Sequence, residues 1–377
     1  MKSDVSSKYY RGFTIVELLV VIVVIGILAA ITVVSYSGIS SKANLASLSS
    51  DLTNISKQLQ LFQIDNSTYP TTINCAIPDG ATNKCLKASN GNTYTNFQVD
   101  NTTNPQAFCV TSTNANGVSY RIIDGSMPKL GNCSRSSCLA IQNANESDGN
   151  GIYWIKPAST AFRVYCDMTT NGGGWTLAMQ ASTTSAYTFH NAVWTNTSGG
   201  LTSAGNPSLN LDYVSAAFYN LSATQSMLAL GDTSNWNSWS HVNNTPRNLA
   251  NQTTMSGAQA NFGNCAIRTN CGAEPINLKP QGIELGTTGT ISAAWHRFGY
   301  VNIESGWGGH VRVGFSGDND ASDSSDTNMG IGLDCVSSCA SASVTGAAHG
   351  YGAGYYDYTS WGTAPLDDTK QAWLWVR

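Results

Sequence analysis

The sequence predicts an α+β protein. We expect a long N-terminal helix with a small antiparallel β head, followed by a larger α+β domain with irregular loops. Three observations predict this: an apolar N-terminal run leads into a helical apolar stripe, residues 66–135 hold only short β-prone segments, and all ten tryptophans lie after residue 150. A chain of 377 residues is longer than one ordinary core requires, so we expect more than one domain.

The composition narrows the kind of surface that the chain presents. Charged residues make up 11% of the chain, against roughly 25% in a typical soluble protein. Serine, threonine, asparagine and 36 glycines replace them, and the formal net charge is −4. The mean hydropathy of −0.15 excludes a polytopic membrane protein, and the lack of a basic excess argues against nucleic acid as a partner. Ten cysteines, an even number, indicate an oxidising compartment.

The N-terminus combines a short basic segment with an apolar run. Residues 1–12 carry three bases against one acid, and residues 18–34 are almost entirely apolar. A positive flank before an apolar stretch predicts that the flank stays in the cytoplasm, and about 17 residues is the lower limit for spanning a bilayer. An ordinary secretion signal has a small-residue cleavage site after the run. Here the candidate is Gly12, which lies before it.

Glu17 stands at the edge of the apolar run. An unpaired carboxylate in lipid costs several kcal/mol, so this side chain is either solvated at the interface or paired with a cation. If the chain is cleaved after Gly12, the new α-amino group of Phe13 on another subunit could lie at the depth of Glu17. Such a pair would set the register of assembly more than its stability.

The stretch RGFTIVELLV at residues 11–20 resembles the class III signal of type IV prepilins and type II secretion pseudopilins. The resemblance implies that residues 1–12 are a leader, which a membrane prepilin peptidase cleaves between Gly12 and Phe13. It also implies that Phe13 is N-methylated and that the helix after it packs against other pilin subunits in a filament. The precursor is then expected in the bacterial inner membrane, and the mature chain in an extracellular pilus.

A second apolar pattern extends the helix beyond the membrane. Its members recur every three or four residues, which is the spacing of one helix face. They are Leu45, Leu48, Leu52, Ile55, Leu59 and Phe62. We expect one helix over residues 13–65, ended by Asn66 and Ser67 before Pro70, with polar residues such as Asp51 around the stripe.

Residues 66–135 are predicted to form a small β head stapled by disulfides. Its β-prone pieces are residues 107–113 and 120–124. Four cysteines allow three connectivities, of which pairing of neighbours would give Cys75–Cys85 and Cys109–Cys133. A zinc site is the alternative, but this stretch has no CxxC pair.

The remaining residues, 136–377, open with four recognisable pieces. These are Cys138 and residues 151–157, 162–168 and 172–177. They resemble the opening of fibrinogen-like domains and of the related intelectin lectins, and residues 371–377 resemble the last core strand of that family. The side chains alternate in character, as they do in strands, over residues 152–156 and 162–167. Three glycines would allow a tight turn before Trp175. Cys138 and Cys166 would staple this hairpin.

An acidic loop is the candidate metal site. Four aspartates fall within residues 318–326 without a base among them, and such a cluster repels itself unless it is solvated or neutralised. Hard oxygen ligands at alternate loop positions suit Ca²⁺. The Asp318-Asn319-Asp320 segment coincides with the calcium loop of fibrinogen-like domains, which implies further ligands around Ser322 and Ser324. The alternative is a solvated acidic loop.

A glycine-rich stretch at residues 345–362, which we expect to form a loop, holds the candidate ligand-binding side chains. They offer aromatic faces and polar groups of the kind that bind sugars, and the alternative is that they pack within the protein. They are His349, Tyr351, Tyr355, Tyr356, Asp357 and Trp361. Cys335 and Cys339 lie closer together than the cysteine pair of fibrinogen-like lectins, while Cys265 and Cys271 would close a surface loop.

These observations together predict a non-enzymatic surface protein. The sequence shows no nucleophile elbow, no HExxH motif and no phosphate-binding loop. We expect a minor pilin that acts as a cell-surface adhesin, whose fibrinogen-like module binds glycans of a host or neighbouring cell with Ca²⁺. The alternatives are a secretion-type pseudopilin whose module binds a protein, and a structural pilus-tip subunit.

Overall fold

The computed structural model describes residues 14–183, 185, 187, 193, 200–201, 203–230, 232–240, 301–304, 309–317, 327–335, 349–357 and 371–377. Of these, only the backbone is described at residues 33–38, 230, 232–240, 301–304, 309–317, 327–329, 333–335 and 349–357. The chain divides into two compact units. The first unit is Met1–Phe97 with Cys109–Leu130, and the second is Gln98–Phe108 with Gly131–Arg377.

The described part of the chain contains three α-helices and sixteen strands. The helices are α1 (Ile15–Asn66), α2 (Cys138–Asn143) and α3 (Ala216–Asn220). The strands are β1 (Asn92–Asp100), β2 (Ala107–Asn114), β3 (Ser119–Ile123), β4 (Lys129–Leu130), β5 (Ser134–Arg135), β6 (Gly151–Ile155), β7 (Phe162–Asp167), β8 (Trp175–Ala181), β9 (Tyr213–Val214), β10 (Gln225–Leu230), β11 (Asp232–Ser240), β12 (Val301–Glu304), β13 (Gly309–Gly317), β14 (Thr327–Cys335), β15 (His349–Asp357) and β16 (Ala372–Val376). This mixed content confirms the predicted α+β class.

Helix α1 confirms the predicted long helix and its buried stripe. It has 52 residues and ends where Ser67 takes a left-handed conformation, with φ 63°. The apolar side chains at every third or fourth position from residue 48 to residue 62 are buried, and Leu45 is half-buried. Helix α1 packs against strand β3, because burying one face is what stabilises a long amphipathic helix.

The first sheet has the order β1-β2-β3-β4. Strands β2 and β3 confirm the two β-prone pieces, and they pair antiparallel with Cys109 opposite Ile123. The sequence did not predict β1 or β4. Strand β1 reads NTYTNFQVD, and its asparagines and threonines hide the apolar alternation that usually indicates a strand.

Asp51 corrects one expectation about α1. The sequence placed it among the polar residues around the stripe, but its side chain is only 6% exposed. Its carboxylate accepts hydrogen bonds from the Ser89 hydroxyl at 2.6 Å and from Asn92 Nδ2 at 2.7 Å. A buried carboxylate is tolerated when such donors replace its water.

The two disulfide bonds with described partners are the ones that the sequence predicted. Cys75 pairs with Cys85, and Cys138 pairs with Cys166. The latter bond joins the start of α2 to β7, so it staples a helix to the predicted hairpin of β6 and β7. Cys109 and Cys133 are each disulfide-bonded. Cys335 lies in β14 without a described side chain, and Cys265, Cys271 and Cys339 lie outside the described residues.

The largest sheet of the second unit has the order β11-β10-β16-β8-β7-β6-β5. Strand β16 shows how its two faces are used. Ala372, Leu374 and Val376 belong to one buried cluster, while Trp373 and Trp375 belong to another. Since successive residues of a strand point to opposite faces, this sheet has a buried core on each side.

Candidate functional site

The first third of α1 is apolar and uncovered. It is the one helix in the described part of the chain that is long and apolar enough to cross a membrane, over Ile15–Thr32, and nothing in the structure buries this stretch. Its large side chains are about half exposed or more. Apolar surface of this extent requires lipid or other protein helices around it.

The carboxylate of Glu17 is bound within its own chain. Its Oε2 atom accepts hydrogen bonds from the backbone N–H and the hydroxyl of Thr14, both at 2.8 Å. The Glu17 N–H in turn donates to the Thr14 hydroxyl at 3.2 Å. This reciprocal capping box satisfies two donors at the start of α1. The T-x-x-E spacing of residues 14–17 is the sequence signal that could have predicted this capping box.

The predicted processing residues are not described. Gly12 and Phe13 lie outside the described residues, so the cleavage site and the pairing of Glu17 with a neighbouring amino group stay predictions. The structure adds that helix begins at Ile15, two residues after Phe13, because Thr14 has an extended N-cap conformation.

The candidate ligand residues that the structure describes fall on a third sheet, with the order β12-β13-β14-β15. Ile331 of β14 is buried in the main core cluster, which joins this sheet to the body of the second unit. Strands β13 and β14 pair antiparallel with Gly317 opposite Thr327. The chain between these two partners carries the candidate calcium ligands Asp318, Asp320, Ser322 and Ser324, which themselves lie outside the described residues.

The glycine-rich stretch forms a strand in the structure, where the sequence suggested a loop. His349–Asp357 is β15, and it pairs with β14 at eight positions. Pairing along a whole neighbouring strand outweighs the weak intrinsic strand preference of glycine, because strand formation depends on context. Trp361 lies outside the described residues.

This strand separates the candidate ligand residues. Asp357 is opposite Thr327 and Tyr356 is opposite Asn328, at the end where the chain enters β14 from the acidic segment. His349 is opposite Cys335, at the other end of the pair, and Tyr351 is two residues from it. At about 3.4 Å per residue, His349 and Asp357 are roughly 27 Å apart along the strand. The backbone therefore brings Tyr356 and Asp357, but not His349, to the end that bears the acidic segment.

Arg377 is a residue that the sequence did not single out. Its guanidinium carbon lies 4.3 Å from the ring centroid of Trp175, and its Nη1 donates to the carbonyls of Asn171 and Gly173 at 2.9 and 2.8 Å. The cation–π contact and the two hydrogen bonds close the glycine turn against the last strand. This arrangement stabilises the fold that carries the third sheet.

Among the described residues, no group of three or more histidine, cysteine, aspartate or glutamate side chains could hold a metal ion. The candidate calcium ligands are not among those residues. This observation therefore does not test whether they bind Ca²⁺.

Two family models match the chain. Residues 7–33 match the prokaryotic N-terminal methylation motif, and residues 133–211 match the C-terminal globular domain of fibrinogen beta and gamma chains. The chain thus carries a prepilin-type N-terminus and a fibrinogen-like segment, as its sequence indicated. Both families are structural or binding types.

Curated relatives match the N-terminal end of the chain. Over 62 residues the chain is 44% identical to the type II secretion system core protein G of Dickeya chrysanthemi, in an alignment that covers 16% of this chain and 40% of that protein. The Klebsiella pneumoniae protein of the same name is also 44% identical over 62 residues, with 16% and 44% covered. The chain therefore spans less than half the length of the curated relatives that it matches.

Two solved structures are similar at low identity. The fibrinogen-like globe domain of human ANGPTL6 is 18% identical, with a TM-score of 0.20 and coverage of 27% of this chain and 45% of that chain. The lamprey fibrin D-dimer, complexed with the peptide ligand Gly-His-Arg-Pro-amide, is 17% identical with a TM-score of 0.22. That match covers 58% of this chain and 56% of the lamprey chain.

Proposed function

We propose that this chain is a minor pilin that displays its fibrinogen-like module as a cell-surface adhesin. One observation carries the proposal: an uncovered apolar helix with a methylation motif and a separate unit with a fibrinogen-like segment occur on one chain. The helix would first hold the precursor in the inner membrane. After a prepilin peptidase cleaves between Gly12 and Phe13, it would pack against other pilin subunits in an extracellular filament.

The module would bind glycans on a host or neighbouring cell with the help of Ca²⁺. Asp318 and Asp320 would hold the ion, with backbone or hydroxyl oxygens near Ser322 and Ser324. Bound Ca²⁺ would neutralise the acidic segment and offer coordination to sugar hydroxyls. Support comes from the strand register, which brings Tyr356 and Asp357 to the end of the sheet that bears this segment. Many copies on a filament would turn weak contacts into avidity.

Glycan-array binding by the purified full chain, with Ca²⁺ and with EDTA, tests this function. We expect binding that EDTA abolishes and that the double variant Asp318→Ala/Asp320→Ala loses. Asp357→Ala should weaken binding at least about tenfold. His349→Ala, at the far end of the same strand, is the matched control and should bind like the wild type. The adhesin function is wrong if no glycan binds with Ca²⁺ present.

A secretion-type pseudopilin is the second candidate, because the N-terminal part of this chain is similar to type II secretion system core protein G. The module would then bind a protein. Deletion of the gene distinguishes the two: loss of protein secretion with adhesion intact supports the pseudopilin, and loss of adhesion with secretion intact supports the adhesin.

A further inference from the structure

The second unit incorporates a segment that precedes its main part in the chain. Residues Gln98–Phe108 cluster with Gly131–Arg377, while the residues on both sides of the segment cluster with the first unit. We call Gln98–Phe108 the strap. Between Asp100 and Ala107, every residue of the strap is exposed or half-buried. Apolar burial therefore does not hold this middle portion in place.

The polar network of Asp100 holds it instead. The Asp100 carboxylate accepts hydrogen bonds from the Thr102 N–H at 3.0 Å, the Thr102 hydroxyl at 2.7 Å and the Thr103 hydroxyl at 3.0 Å. Nη1 of Arg163, on strand β7, donates to the same carboxylate at 3.3 Å and to the Thr103 hydroxyl at 3.0 Å. Arg163 thus supplies the contacts that join this network to the sheet.

The ion pair of Asp100 and Arg163 is largely removed from water, so its loss costs more stability than the loss of a surface ion pair. The side chains of Asp100 and Arg163 are 7% and 15% exposed. Surface pairs contribute little to stability, whereas removing one partner of a buried pair leaves the other charge uncompensated. Burial by itself would raise the pKa of Asp100, but the hydrogen bonds from Thr102, Thr103 and Arg163 outweigh it and hold that pKa below its usual range.

We propose that Arg163 latches the strap onto β7, and that its middle portion, residues 101–106, opens as a local unit when this latch is removed. The core of the second unit stays folded during opening, because the strap contributes no buried side chain between Asp100 and Ala107. Local opening of such a segment is a separate equilibrium from global unfolding. The inference is independent of the adhesin proposal, since it concerns the strap alone.

Hydrogen–deuterium exchange of the full chain in detergent, read by mass spectrometry, tests the latch. In Arg163→Gln, we expect the amides of residues 101–104 and 106 to exchange at least about tenfold faster, while those of strand β8 keep their wild-type rates. The matched control is Arg135→Gln. Arg135 also pairs with a buried carboxylate in the second unit, donating from Nε to Glu146 at 2.9 Å, and both residues lie outside the strap. It should leave the exchange of residues 101–106 unchanged.

A milder pair of variants covers the case in which Arg163→Gln fails to fold. Thr103→Val removes the hydroxyl that bridges Arg163 and Asp100, and Thr103→Ser retains it. We expect faster strap exchange in Thr103→Val and wild-type exchange in Thr103→Ser. The latch is refuted if Thr103→Val and Arg163→Gln leave strap exchange unchanged, or if β8 accelerates by the same factor as the strap.

Discussion

The Asp51 carboxylate lies between helix α1 and the segment that leads into β1. Besides the Ser89 hydroxyl and Asn92, the Ser89 N–H donates to it at 3.1 Å, and the Tyr94 hydroxyl donates to the Asp51 carbonyl at 3.2 Å. One side chain thereby ties the helix to residues about forty positions later. This role was not evident from the residue order, because a single aspartate on a helix usually faces water.

Replacing Asp51 should destabilise the first unit. Asp51→Ala removes the carboxylate that accepts from Ser89 and Asn92, and we expect a loss of about 2–3 kcal/mol in the free energy of opening. Amide exchange over residues 48–62 measures this loss. The control is Asp65→Ala on the same helix, where the side chain is exposed, and it should cost less than about 0.5 kcal/mol. Equal effects of the two variants would contradict the role assigned to Asp51.

Asp100 should make stability of the second unit depend on pH. Its pKa in the folded chain lies below its ordinary value, whereas an unfolded aspartate has a pKa of about 3.9. The folded state therefore prefers the ionised form. This contribution is present in full above the unfolded pKa and disappears as the pH falls through the folded pKa.

The difference in unfolding free energy between wild type and Asp100→Asn should be constant from about pH 7 to pH 5 and shrink below about pH 4. Urea unfolding followed by tryptophan fluorescence measures it, because all ten tryptophans lie in the second unit. A difference in unfolding free energy that does not vary with pH would show that the charge of the Asp100 carboxylate does not contribute to stability.

The turn between β7 and β8 depends on the backbone freedom of its glycines. Gly173 has φ 72°, and a Cβ atom there would lie 2.2 Å from the carbonyl oxygen of Met168. The close approach lets Trp175 enter the core directly after the turn, where its Nε1 donates to the Thr170 carbonyl at 2.9 Å. The three consecutive glycines in the sequence indicated this turn correctly.

Gly173→Ala should destabilise the second unit by at least about 2 kcal/mol, from left-handed strain and from the clash with Met168. Gly149→Ala separates the two causes. Gly149 has φ 99° but nothing within 4 Å of an added Cβ, so only the strain of about 1–2 kcal/mol applies. Urea unfolding followed by tryptophan fluorescence compares the variants. Equal losses would mean that the contact with Met168 does not matter.

At the scale of the whole molecule, one helix serves two environments. Its first part is uncovered and apolar over Ile15–Thr32, while its later part buries the stripe that supports the first sheet. Helical structure suits both, because it satisfies its own backbone hydrogen bonds in lipid and presents one face to a sheet in water.

Deletion of residues 14–34 should release the chain from membranes. The uncovered apolar surface is then gone, while the buried stripe and the three sheets remain. Fractionation of expressing cells should find the full chain in the membrane pellet and the shortened chain in the supernatant. Glu17→Gln keeps the apolar surface and should stay with the membrane. Retention of the shortened chain would mean that another part of the protein binds membranes.

Local patterns in the sequence were sufficient for several elements. Periodicity of apolar residues predicted α1 and its buried stripe, short β-prone runs predicted β2 and β3, and alternation with glycine spacing predicted the hairpin of β6 and β7 and the turn after it. Cysteine proximity predicted the Cys75–Cys85 bond. Each of these depends on neighbours within a few turns of chain, and residue order alone records such neighbours.

Only the tertiary structure decided the remaining features. The burial of Asp51, the assignment of the strap to the second unit through Arg163, and the strand formed by His349–Asp357 all depend on residues far apart in the chain. Register with β14 separated His349 from Asp357, although eight residues look close in a sequence. Pairing and burial are set by which distant segments meet, and a linear pattern does not contain that information.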